Sequence, residues 1–165
     1  MKAAFIAFAV TDLLLMSAAA LSGLRVVGDE WFVEHFSLGL TTTLVTLFCH
    51  CVVLAYFMAT GKMIRLAVED AGLDPGLFHR AMRYKMRAYA ALMLGILLVL
   101  TAAFTGGWVS IEPAREGWHR AAAFICLGMQ AIVMSFEYTL IWANGRLMDI
   151  VFELHHQRRP QGVSP

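Results

Sequence analysis

The sequence predicts an all-α polytopic membrane protein, a four-helix bundle built from two tandem helical hairpins. Three observations predict it. Four apolar runs are each about as long as the roughly 20 residues a helix needs to cross a bilayer. Two of those runs carry polar residues along one face only, and landmarks recur at a gapless offset of 84 residues. The chain has 165 residues, 59% hydrophobic and 15% charged, with a mean hydropathy of +0.66. That is too apolar for an ordinary soluble domain and too short for several, so residues 1–165 form a single integral membrane domain.

The first run, Ala3 to Leu24, follows a lysine and ends in small residues, as a secretory signal peptide would. Asp12 in its middle and the internal repeat argue for a retained span. The second run covers about 36–60 and continues as GKMIRLAVEDAGL, apolar at helical spacing. That helix should leave the membrane and stop at Asp74-Pro75-Gly76. The third run, about 88–108, ends at Gly106-Gly107. The fourth, about 119–144, also continues as a projecting helix up to Pro160, beyond which 160–165 reads as a disordered tail.

Shifting the chain by 84 residues brings Gly23 onto Gly107, His35 onto His119, Gly61-Lys62 onto Gly145-Arg146 and Glu69 onto Glu153. Residues 1–76 and 77–160 are then two parallel repeats about a pseudo-twofold axis along the membrane normal. Of the 13 Lys and Arg residues, only Arg25, Arg115 and Arg120 fall on the side of the outer loops. Basic residues stay in the cytoplasm, so both termini are expected there, in a bacterial-type inner membrane. Trp31, Trp108, Trp118 and Trp142 fall at the expected interfaces. Arg65, Glu69, Asp149 and Glu153 on the projecting helices predict a partner surface, either for other membrane subunits or for a homo-oligomer. Net charge is +1 without a basic run, which argues against a nucleic-acid partner.

At about 100° per residue, His119, Cys126, Gln130, Glu137 and Asn144 share one stripe of the fourth span. His35, Thr42, Thr46, His50 and Thr60 share the equivalent stripe of the second. A polar stripe facing lipid is costly, so both should look into the bundle, either bridging helices or lining a site. His35 and His119, equivalent under the repeat, are candidate axial ligands of a b-type haem or part of a metal site. His50 and Met134, below them, are candidates for a second site. Asp12 and Glu137 are the only carboxylates within the spans, each about 12–14 Å from the cytoplasmic end. On neighbouring helices they could meet and share a proton, hold a cation or, with Gln130 and His50, relay protons. Cys49, Cys51 and Cys126 should be free thiols, because helix geometry keeps the Cys49-His50-Cys51 side chains from converging. No nucleophile elbow, phosphate loop, zinc-protease motif or CxxC occurs, which argues against an enzyme for soluble substrates beyond a redox subunit. Three readings follow: a haem- or metal-binding electron-transfer subunit, a small proton- or cation-coupled transporter or channel, and a cofactor-free assembly subunit.

Overall fold

The structure is a computed structural model that describes residues 2–26, 30–109 and 111–158. The expected tail at 160–165 lies outside the described residues. Helix α1 covers Lys2–Gly23, α2 Phe32–Asp70, α3 Pro75–Val109 and α4 Glu116–Arg158, with a 3-10 turn at Pro113–Arg115 before α4. All four helices are long and apolar enough to cross a membrane.

The chain runs up, down, up and down. Each of α1 and α3 packs against both α2 and α4, whereas α1 and α3 share no contact among the described residues. The α2–α4 diagonal is therefore the short one, and the faces these two helices turn toward each other are the polar stripes. Asp12, Thr46, His50, Gln130, Glu137 and Asn144 are all at most 1% exposed, while Leu14, Leu44, Leu97 and Ile132 are at least 60% exposed. Lipid tails solvate leucine as well as a core does, so leucine gains little by burial, whereas polar groups are driven to one another.

Three helices extend beyond α1. The start of α1 lies beside Gly145, where an added Cβ would sit 3.8 Å from the Lys2 side chain. From there α4 runs on for about 20 Å at 1.5 Å per residue. The extension has an apolar core of its own, formed by Ile64, Ala67, Val68, Leu73, Ala81, Leu147 and Val151. Arg158 closes it by donating to the carbonyls of Ala71 and Gly72, and His155 pairs with Asp70 at 2.8 Å. One correction to the sequence reading arises here. The third helix begins at Pro75, ahead of the apolar run at about 88–108, because Leu77, Ala81 and Tyr84 continue its apolar face outside the membrane-length run. Asp74-Pro75-Gly76 starts that helix instead of stopping the previous one: Asp74 accepts from the Gly76 amide at 2.8 Å, capping the first turn, and Pro75 takes the first helical position. The stop of α2 comes earlier. Gly72 turns left-handed at φ 57°, and the Leu73 amide reaches back to the Val68 carbonyl at 3.0 Å, with Leu73 packed on the same cluster.

Tryptophans sit at both ends. Arg115 lies 4.1 Å over the Trp108 ring and Arg25 5.6 Å over Trp31, while Arg146 and Lys2 approach Trp142 from the other end. Cys49 is buried and Cys51 exposed, both free, as residues about 200° apart on one helix should be.

The left-handed turn yields a test. Gly72→Ala should lower unfolding stability in mixed micelles by about 1–2 kcal/mol, the cost of a left-handed L-residue. Gly39→Ala, with open space around the added methyl and an ordinary helical backbone, should be neutral or stabilising.

Candidate functional site

The α2–α4 seam is a ladder of polar groups with four levels. At the outer rim, the rings of His35 and His119 stand edge to face, with centroids 5.9 Å apart. Next comes Asp12 of α1, whose Oδ1 accepts from the Thr46 hydroxyl at 2.8 Å. Deeper, His50 Nδ1 is 2.9 Å from Glu137 Oε1 and His50 Nε2 is 2.6 Å from Gln130 Nε2. At the inner level Asn144 donates to the Thr60 hydroxyl at 3.0 Å and to the Tyr56 hydroxyl at 3.3 Å.

Glycine makes the two histidine levels possible. A Cβ at Gly95 of α3 would collide with His50 Nε2 and lie 3.1 Å from Gln130 Oε1, so the third helix has a notch where the imidazole sits. Likewise a Cβ at Gly23 would lie 2.8 Å from His35 Cε1, and one at Gly106 2.9 Å from His119 Cε1. The glycine that meets His119 is Gly106, one residue before the Gly107 that a gapless 84-residue shift selects, and nothing approaches Gly107.

Several sequence-derived candidates come together, in altered pairings. Asp12 and Glu137 do not bond to each other; each has a nearer partner, Thr46 and His50 respectively, because equal depth does not fix the direction in which a helix points a side chain. Among the described residues no Lys or Arg pairs with either carboxylate. His50 has both ring nitrogens engaged, one as donor and one as acceptor, so its single lone pair is not left for iron, and the His50–Met134 haem site does not fit this packing. Met134 is buried among Phe5, Cys49, Val53 and Ile141 as a packing side chain. His35 and His119 do meet. Sequence reasoning passes over Gly95, Ser22 and Thr105; a glycine or hydroxyl opposite a histidine is visible only once the helices are paired.

The interior partners can each serve two protonation states. Thr46 lies within reach of both Asp12 Oδ1 and the Thr42 carbonyl, the latter at 2.9 Å. It can donate to an ionised Asp12, or turn its hydrogen to the carbonyl and accept from a protonated one. Gln130 can offer its amide N–H to a neutral His50 or, rotated, its oxygen to an imidazolium. Among the described residues three buried oxygens, Asp12 Oδ2, Gln130 Oε1 and Asn144 Oδ1, have no donor. An unmet buried acceptor costs about 1–3 kcal/mol.

No family model matches the chain, and neither a curated protein nor a solved structure matches it.

Two stability outcomes follow from this geometry. His50→Ala strands Glu137 and Gln130 and should cost about 3–5 kcal/mol, as when one partner of a buried pair is removed. Glu137→Gln, which keeps a hydrogen-bonding group at the same place, should cost far less. Gly95→Ala should destabilise by about 1–3 kcal/mol through overpacking, while Gly61→Ala, with nothing within 4 Å, should not. Thermal unfolding in one detergent ranks all four variants.

Proposed function

We infer that this chain is a four-span membrane protein, two related hairpins about an axis along the bundle, that conducts protons through its polar seam. Asp12, His50 and Glu137 carry the proton, the Thr46 hydroxyl hands it on, and Gln130 supports both protonation states of His50. The carrying observation is that each ionisable group in the seam faces a partner able to donate to one of its protonation states and accept from the other. A fixed structural bridge needs only one of those states. Ionisable groups are costly within a membrane, and a buried acid–imidazole–amide series without a basic counter-ion holds a mobile proton more readily than a permanent charge. His50 is the centre of the relay, since imidazole can take a proton at one nitrogen and release it from the other.

The tandem-hairpin reading is supported by residues 84 apart that touch each other. His35 meets His119 and Thr60 meets Asn144, as expected where a twofold axis passes between α2 and α4. The outer connections differ by one residue, so Gly23 and Gly106 are spaced one residue more closely than the two histidines. With basic residues concentrated at the end that holds the extension, we place both termini in the cytoplasm of a bacterial-type inner membrane.

The test is proton flux into pyranine-loaded proteoliposomes under a potassium diffusion potential. Wild type should acidify the lumen faster than protein-free vesicles. Glu137→Gln and Asp12→Asn should each remove most of that flux while moving the melting temperature little. Wild-type flux equal to the vesicle background, or full flux in the Asp12→Asn, Glu137→Gln double variant, would end the proposal.

A further inference from the structure

We propose that the inner end of α3 binds the headgroup of an anionic phospholipid, with the phosphate between Arg83 and Arg87 and the acyl chains running along the face that begins at Met86. The site rests on the four-span membrane reading and not on proton conduction.

The first observation is an unbalanced charge. Between Asp74 and Glu112 the chain has no acidic residue, yet the opening turns of α3 carry His79, Arg80, Arg83, Lys85 and Arg87. At about 100° per residue, His79, Arg80, Arg83 and Arg87 share one arc of the helix, and all four are exposed. Arg83 and Arg87 stand one turn apart, where like charges repel. Other basic residues at this end of the bundle are already engaged. Arg65 pairs with Glu69 at 3.1 Å, Arg158 donates to the Ala71 and Gly72 carbonyls, and Lys2 and Arg146 lie against the Trp142 ring. Among the described residues Arg80, Arg83 and Arg87 form no ion pair. Glu69, Asp70, Asp149 and Glu153, the acids of the extension, stand on α2 and α4 instead. The row on α3 lacks an anion, and the chain does not supply one.

The second observation is depth. Ala81 belongs to the apolar core of the extension, with Ile64 and Leu147, and Ala88 to that of the membrane bundle, with Phe57 and Ile141. Tyr84 packs on both cores. Because α3 runs antiparallel to α4, Arg83 to Arg87 lie level with Trp142 to Arg146, where α1 begins and a tryptophan marks the membrane interface. Lipid phosphates lie at that level.

The third observation is what continues from the basic row. His79, Met82, Arg83, Met86 and Arg87 line an open cleft of about 490 Å³. Met86, Met93 and Leu97 follow on the same face of α3, and each is at least 60% exposed. Cations at the headgroup level and an apolar track of about 16 Å leading into hydrocarbon match the two ends of one phospholipid. An acidic protein would meet the arginines but not the track. Two guanidinium forks can take the phosphate oxygens between them, which a single ammonium cannot do.

Full-length protein is placed in nanodiscs of equal parts dioleoylphosphatidylglycerol and dioleoylphosphatidylcholine, which share acyl chains and differ in charge. Native mass spectrometry counts the lipid of each class that leaves the disc bound to the protein. Wild type should retain phosphatidylglycerol with about a 25-fold preference, roughly fivefold for each of two arginines. Arg83→Gln with Arg87→Gln should bring the two lipids to equality. Met86→Asp, which sets a carboxylate beside the phosphate, should do the same. Arg65→Gln, whose charge is already paired with Glu69, should keep the preference. Equal retention of both lipids by wild type, or an undiminished preference in the double variant, overturns the proposal. So does displacement of the phosphatidylglycerol by polyglutamate, which would give this face to an acidic protein. A chain that does not enter the discs overturns the four-span reading itself, and that failure is seen before any lipid is counted.

Discussion

Everything in this bundle depends on how His50 is held. It sits on the short diagonal between α2 and α4, with Glu137 on one ring nitrogen and Gln130 on the other, and none of the three has access to solvent. In a lipid environment apolar packing does not distinguish one helix rotation from another, because leucine is equally comfortable facing lipid or protein. A buried acid and imidazole are less tolerant. Sliding α4 by one turn or rotating it by one residue would leave a polar side chain unpartnered in hydrocarbon, so the hydrogen bonds set both register and azimuth. The notch at Gly95 then fixes where α3 lies, and Asp12 on Thr46 fixes α1.

How much of this is legible in the sequence follows from what a single helix can reveal. Periodicity belongs to one helix at a time, and the stripes on the second and fourth spans are readable for that reason: Thr42, Thr46, His50 and Thr60 on one side, and Cys126, Gln130, Glu137 and Asn144 on the other, are all buried. Pairing belongs to two helices at once. Asp12 and Glu137 have similar depth, yet each is directed at something else, and depth is all the sequence can supply. Gly95 shows the limit most plainly. Its role is the absence of a side chain where another helix delivers an imidazole, and no composition or spacing rule assigns that to one glycine among 13. The start of α3 escapes a sequence reading for a different reason: a search for apolar runs sees the membrane-length stretch and overlooks the amphipathic turns from Pro75 that pack Leu77 and Ala81 beneath it.

The ladder repeats one polar contact at two depths. At the rim, the Ser22 and Thr105 hydroxyls each stand between a helix carbonyl and an imidazole nitrogen. One level in, the Thr46 hydroxyl stands between the Thr42 carbonyl and Asp12, and Gln130 carries both a donor and an acceptor beside His50. A hydroxyl so placed can turn its hydrogen to either neighbour, so each titratable side chain of the seam keeps a partner in both of its protonation states.

The unequal helix lengths have a mechanical consequence. Helices α2, α3 and α4 are fastened twice, along the membrane-length seam and again through the apolar core of the extension and the Arg158 and His155 ties. Helix α1 has 22 residues and ends level with the first of these fastenings. Asp12 thus sits on the helix that the extension core leaves out, and the Thr46 hydroxyl is the side chain that ties this acid to the doubly fastened helices.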